Sequence, residues 1–301
     1  MILATGAGGM TGSHLLDVFS EDELVRTDLH PRTGIRHLDI CDLQQVMNTL
    51  GSVRPEQVIH LAAETDVDRC ERDPDHAYRT NVIGTSNIAV ACKHYEIELV
   101  YVSTCGVFGG SQTAPYTEFD QPSPINVYAH SKLEGERAVQ TLHNTHYIVR
   151  AGWMFGGNNG TDKKFVGKIA SMCQEGDSTT IIKAVNDKKG SPTYARDFLE
   201  AIKALAQTGC YGLYHVVNGG SVTRFDVAVE IAQFLQSKAR VIPVSSDAFP
   251  LPAARPNSEA ARSYKLDLLR INRMPNWRDA LHNYLSMWLP APAVLAQRVS
   301  A

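Results

Sequence analysis

The chain begins with the aliphatic run ILAT, residues 2–5, and passes at once into TGAGGMTG, residues 5–12. A buried strand that ends in closely spaced glycines permits few folds. Gly6, Gly9 and Gly12 recur at intervals of three, with Gly8 as an extra. Such spacing allows a tight turn after the strand, close approach of a ligand to the backbone, and close packing of the helix that follows. The free N–H groups at that helix start suit a pyrophosphate. Thr11 stands where strict GxGxxG would have its last glycine. A glycine-rich turn without a ligand is the bland alternative, and the position directly after a first strand weighs against it.

The segments that follow agree with this start. LVRTD (24–28), QVIHLA (57–62), ELVYVST (98–104) and YIVRAG (147–152) read as buried parallel strands. Helical patterns at 11–20, 42–51, 73–94 and 126–143 separate them. This alternation predicts an α/β protein, a Rossmann-type doubly wound parallel sheet covered on both faces. Past residue 153 the rhythm changes: a Gly/Asn-rich loop, a helix, the runs TTIIKAV, GLYHVVN and RVIPVS, helices near 223–236 and 278–288, and a Pro/Ala/Ser-rich loop at 247–263. The expected division is a dinucleotide-binding domain at 1–152, to which later segments can return, a smaller C-terminal substrate-binding lobe at 153–290, and a flexible tail at 291–301.

Composition narrows the function classes. With 301 residues, 44% hydrophobic and 20% charged, the chain suits one large soluble domain with an attached lobe. A net charge of −3 offers no footprint for nucleic acid or anionic membrane. No apolar run is long enough to span a bilayer, and the N-terminus lacks the layout of a secretory signal, so a cytoplasmic location is expected. The six cysteines are scattered without a CxxC, and the eleven histidines form no HxxxH pair. Reduced thiols and no metal site are expected.

Candidate chemistry sits where these strands end. Asp28, closing the second strand, can accept hydrogen bonds from both adenosine ribose hydroxyls and repels a 2′-phosphate, which favours NAD(H). His30 and Arg32 close behind it leave room for NADP(H). Asp39 and Ile40 fall where a third strand should end, suiting an adenine contact, or a helix N-cap, or both. Ala62 and Ala63 are small enough for a cofactor to lie against the backbone. Ser103 and Thr104 end another strand. In NVYAHSKLEGE (126–136), Tyr128 and Lys132 share one helical face. Trp153 can cover a sugar ring or fill the core. Arg255 can fork a diphosphate or lie on the surface. Lys163, Lys164 and Lys168 add positive charge near the same mouth.

These motifs, in this order, resemble the extended short-chain dehydrogenase/reductase family over essentially the whole chain. The matches are TGxxGxxG at 5–12, the strand-end Asp28, NVIGTSN at 81–87, STCGVFG at 103–109 and YxxxK at 128–132. Within that family the second half is similar to the dTDP-4-dehydrorhamnose reductases, through AGWMFG (151–156), DKKGSPTYARDF (187–198), GLYHVVN (212–218), ARPNS (254–258) and MPNWRDAL (274–281). The resemblance implies reduction of the 4-keto group of a nucleotide-linked 4-keto-6-deoxysugar by NADH or NADPH. It implies Tyr128 as general acid, Lys132 lowering the phenol pKa and binding the nicotinamide ribose, and Thr104 holding the ketone oxygen. The implied cofactor set is Gly6, Gly8, Gly9, Met10, Gly12, Asp28, Leu29, Asp39, Ile40, Ala62, Ala63 and Asn81, with Tyr128 and Lys132. Thr65, Val67, Thr104, Trp153 and Arg255 are the implied sugar-nucleotide contacts.

Departures surround the sugar. Glu64 precedes Thr65, and Cys105-Gly106 follows Thr104 where sugar 4,6-dehydratases carry Asp-Glu. The absence of that pair favours simple reduction over dehydration or epimerisation. A non-catalytic NAD(P)-binding regulatory subunit of the same fold is the rival from another class, and the intact Thr104, Tyr128 and Lys132 count against it. A homodimer is compatible with these features, and the expected partner is a small nucleotide sugar.

Overall fold

A computed structural model describes residues 1–157, 162 and 164–288. Lys163, the tail at 291–301 and part of the Gly/Asn-rich loop lie outside the described residues.

The first half alternates as its apolar runs predict. β1 (Ile2–Thr5) leads through the glycine loop and a 3-10 turn into the short α1 (Leu15–Val18). β2 (Leu24–Asp28), β3 (Arg36–His37), α2 (Leu43–Val53) and β4 (Gln57–His60) follow. Then come α3 (Val67–Arg72), α4 (Pro74–Tyr78), a π-helical turn at Arg79–Gly84, and α5 (Thr85–Tyr95). β5 (Glu98–Thr104), α6 (Val127–Leu142) and β6 (His146–Ala151) complete this half. Side chains cap the helices that matter for the site. Asp66 accepts from the N–H groups of Asp68 and Arg69 at the start of α3, and Asn126 accepts from Ala129 N at the start of α6.

The second half contains β7 (Trp153–Phe155), α7 (Phe165–Glu175), β8 (Ile181–Val185), β9 (Lys189–Gly190) and β10 (Pro192–Tyr194). α8 (Ala195–Ala206), β11 (Gly212–Val216), β12 (Val222–Thr223) and α9 (Arg224–Phe234) continue it. β13 (Arg240–Val244), α10 (Tyr264–Leu268) and α11 (Trp277–Leu285) close the described chain.

Seven strands form one sheet in the order β11-β6-β5-β4-β1-β2-β3, every pair parallel. The winding direction reverses between β1 and β4, which opens a crevice beyond the carboxyl ends of the strands. Both faces are covered. Leu15, Phe198 and Leu199 bury one side against Ala4 and Ile59; Val46, Ile88 and Val139 bury the other against Leu3 and Leu99. A separate core of Phe155, Ile169, Ile231 and Tyr284 holds the lobe together. The six cysteines are free, four of them buried. No helix among the described residues is long and apolar enough to cross a membrane.

Three local differences from the sequence reading have physical causes. GLYHVVN, read as part of the lobe, supplies β11, the seventh strand of the main sheet, in register with β6 from Gly212↔Tyr147 to Val216↔Ala151. An edge of β6 left bare would expose unpaired backbone groups, and β11 with α8 covers it. The helix expected at 11–20 has only one α-helical turn, because the backbone is extended again at Phe19. The helix expected at 73–94 is interrupted by the π turn that carries Asn81.

Candidate active site

The glycine loop is shaped by contacts that exclude side chains. Gly6 has φ +67°, and a Cβ there would lie 2.6 Å from Ala62 N at the end of β4. The loop therefore packs directly on the next strand, and Ala62 and Ala63 line the crevice beside it. Asp28 braces the same loop, since Gly8 N donates to Oδ2 at 3.0 Å and His30 N donates to Oδ1 at 2.9 Å. Arg32 lies alongside and donates to Gly8 O at 3.4 Å. Each carboxylate oxygen of Asp28 retains acceptor capacity toward the crevice. β3 stops at His37, so Asp39 and Ile40 sit in the loop beyond it, where Asp39 accepts from Cys41 N at 2.8 Å. Gly6, Gly9, Met10, Gly12, Asp28, Leu29, Asp39 and Ile40 all line one cavity. Gly8 is not among its lining residues; its amide is committed to Asp28. The tight glycine turn packed on Ala62, the helix start and the strand-end carboxylate fit an adenine dinucleotide.

That cavity, about 1720 Å³, runs from the glycine loop past Thr104, Tyr128 and Lys132 to the lobe. Thr104 ends β5, and its side chain faces the Tyr128 phenol on α6 closely enough to lower its pKa, while its Oγ1 accepts from Gly106 N at 3.0 Å. Lys132, one turn after Tyr128, donates from Nζ to Val102 O at 2.8 Å and lies 4.3 Å over the Tyr101 ring. Burial pushes the Lys132 amine down to about 7, opposed by Glu136. Burial also pushes the Tyr128 phenol above its ordinary value, with the Thr104 hydrogen bond the largest effect in the opposite direction. The resemblance implies a lowering by Lys132; the net direction here is upward, with burial the largest cause. Burial disfavours the charged form of each group, phenolate and ammonium alike. The result keeps the phenol protonated near neutrality, the form a proton donor needs.

Behind this face lies a charged anchor. Glu136, a second turn along α6, receives Ser103 Oγ at 2.6 Å, Arg150 Nε at 2.8 Å and Arg150 Nη2 at 2.7 Å. Both charged side chains are nearly inaccessible, at 2% and 3% exposure. The forked pair bolts α6 to β5 and β6. Asn81 is fully buried in the π turn and, expected at the cofactor, does not line the cavity. It accepts from Glu64 N at 2.9 Å and donates to Glu64 O and Ser131 Oγ, tying the β4 loop to α6.

At the sugar end, Thr65, Val67 and Trp153 line the cavity, together with Lys164 and Lys168; Lys163 lies outside the described residues. Trp153 is half-buried and donates from Nε1 to Glu259 Oε1 at 2.5 Å. The Arg224 guanidinium stacks 4.3 Å over Trp153 and 4.7 Å over Phe165. Arg255 lines the cavity but is paired with Asp68 of α3 at 3.0 Å and donates to Ala253 O at 2.8 Å, so in this structure its fork pins the loop to α3. Among the described residues no cluster of His, Cys, Asp and Glu is arranged to hold a metal ion.

The family model of the RmlD substrate binding domain matches residues 1–289. The chain belongs to this family. A dTDP-4-dehydrorhamnose reductase of Mycobacterium tuberculosis is 36% identical over 291 residues, covering 95% of this chain and 92% of its own length. The spore coat polysaccharide biosynthesis protein SpsK of Bacillus subtilis is 30% identical, covering 94% of this chain and 96% of its own. Among solved structures, the dTDP-4-dehydrorhamnose reductase of Bacillus anthracis in complex with NADP superposes with a TM-score of 0.86 at 36% identity, covering 95% of this chain and 98% of that one. A UDP-glucose 4-epimerase of Thermus thermophilus, at 23% identity and a TM-score of 0.81, shares the fold.

For a member of the RmlD family, the arrangement supplies two hydroxyls that meet at one oxygen position and a buried amine beside the cofactor crevice. It can hold a carbonyl and protonate it. Sequence reading missed Glu136, although its spacing of four from Lys132 on one helix is a readable signal. It also missed Arg150, Arg224 and Glu259, whose partners are distant in the chain. For those no local signal exists.

Proposed function

We propose that this RmlD-family protein reduces the 4-keto group of a nucleotide-linked 4-keto-6-deoxysugar, converting dTDP-4-dehydro-L-rhamnose to dTDP-L-rhamnose at the expense of NADH or NADPH. The observation that carries this reading is that Thr104 and Tyr128, with Lys132 one helical turn on, line the same cavity as the glycine loop. A bound dihydronicotinamide would supply the hydride. The chain's own residues do the rest. Thr104 and Tyr128 grip the ketone oxygen, and Tyr128 passes its phenolic proton to that oxygen as negative charge develops there. Lys132 stabilises the phenolate that remains, and Gly106 N–H holds Thr104 Oγ1 in place. Arg224, Lys164 and Lys168 offer positive charge to a diphosphate, and Trp153 covers the sugar. NADH or NADPH mixed with dTDP-4-dehydro-L-rhamnose should lose absorbance at the nicotinamide band. No oxidation with this or related keto-sugars would instead favour the regulatory-subunit reading.

Cofactor choice follows from Asp28 and Arg32. The carboxylate suits free ribose hydroxyls, and the neighbouring guanidinium can meet a 2′-phosphate. Asp28→Ala is expected to weaken NADH relative to NADPH by about tenfold, the scale of one hydrogen bond to a charged group. The ratio of the two Kd values checks this; an unchanged ratio removes Asp28 from ribose recognition.

A further inference from the structure

A carboxylate stands at the reacting oxygen, delivered by a distant part of the chain. Of the acidic residues lining the cavity, Asp28 and Asp39 belong to the adenosine end, Glu64 is paired with Arg69 and His76, and Asp247 lies in the exposed turn after β13, accepting from Ser245 Oγ. Glu259 is different. It comes from the loop between β13 and α10, and its backbone is held on both sides. Glu259 N donates to Lys189 O at 3.0 Å, Tyr116 N donates to Ala260 O at 2.8 Å, and Ala261 N donates to Ser191 Oγ at 3.1 Å. Its Oε1 takes the Trp153 indole N–H. Its Oε2 points to Gly106: a Cβ placed on that glycine would lie 3.3 Å from Glu259 Oε2 and 3.2 Å from Thr104 Oγ1. A side chain at position 106, two residues after Thr104, would therefore meet this carboxylate. Burial raises the Glu259 carboxyl above its ordinary range, opposed by the Trp153 hydrogen bond and by Arg224 and Arg255. A carboxylate so placed is a stronger base than one in water.

We propose that Glu259 is a second proton-handling group, through which the site exchanges the hydrogen on a carbon beside the ketone with solvent, an activity that needs no hydride. The proposal rests on the keto-sugar reading above. With the ketone oxygen held by Thr104 and Tyr128, the flanking C–H is acidified. Glu259 Oε2 takes that proton: the C–H bond breaks, an O–H bond forms on the carboxyl, and the electron pair becomes the C=C bond of an enolate whose oxygen is met by the two hydroxyls. Glu259 is half-buried at the cavity wall, so its new proton exchanges with water before it returns to the same face of the same carbon. Nothing is oxidised or reduced, and configuration is kept.

The test uses the whole protein with dTDP-4-dehydro-L-rhamnose in D2O and NADP+, which carries no hydride to donate, and follows the sugar by mass spectrometry. NADPH oxidation by the same preparation is measured in parallel. The expected result is protein-dependent gain of one deuterium, faster than in buffer alone. Glu259→Gln keeps an acceptor for the Trp153 indole and removes the base, so the ratio of exchange to reduction should fall by about a hundredfold, with NADPH binding retained by fluorescence titration. Reduction without exchange, or exchange in which that ratio is unchanged in the Gln variant, overturns the role of Glu259 and leaves the reductase reading intact. Exchange without reduction supports Glu259 and overturns the reductase reading. Absence of both overturns both.

Discussion

Tyr128→Phe should lower kcat for keto-sugar reduction by at least about a hundredfold, the scale of losing a positioned general acid. Phenylalanine keeps the ring and removes only the hydroxyl that meets Thr104. The Lys132 contact with Val102 O does not involve that hydroxyl, so nicotinamide cofactor binding should change little. Stopped-flow turnover together with cofactor titration separates the two effects. Turnover like that of the unsubstituted protein would take Tyr128 out of the mechanism. Thr104 alone would then have to protonate the product oxygen.

The second large effect is on stability. Glu136→Ala would leave the Arg150 guanidinium, 3% exposed, without its counter-charge and without either of its two forked hydrogen bonds. Removing one partner of a buried pair costs about 3–5 kcal/mol. Urea unfolding should show a loss of that size. A double variant, Glu136→Leu with Arg150→Met, should recover most of it, because the Arg150 charge is removed together with its partner. A loss below about 1 kcal/mol for Glu136→Ala would mean that water reaches Arg150. The same carboxylate holds up the Lys132 pKa from one turn away, so the variant should also shift the pH dependence of reduction. Without Glu136 the amine loses its proton at lower pH, and any activity that needs the ammonium should fall off earlier as pH rises.

Much of the site was legible because its signals are local. The glycine loop is a run of eight residues in which φ +67° at Gly6 and contact with Ala62 leave no room for a side chain. Tyr128 and Lys132 share a face by helix periodicity alone. β1, β2 and β5 match their predicted ends because short apolar runs bounded by turn residues leave little latitude. The resemblance implies Asn81 in the cofactor set, where it would support a water network, with a helix-bending Asn as the alternative. Its orientation depends on a π turn that aims the amide at Glu64 and Ser131.

By itself the sequence determined the parallel sheet, the nucleotide-binding end and the Tyr-Lys helix, since each follows from residue spacing within one strand, turn or helix. Tertiary structure decided what surrounds the reacting oxygen. Trp153 and Glu259 are 106 residues apart and share a hydrogen bond, Arg255 closes on Asp68, and β11 returns to the edge of a sheet begun two hundred residues earlier. The raised pKa of Tyr128 belongs with these. It comes from exclusion of water by many segments at once, which no local stretch of sequence encodes.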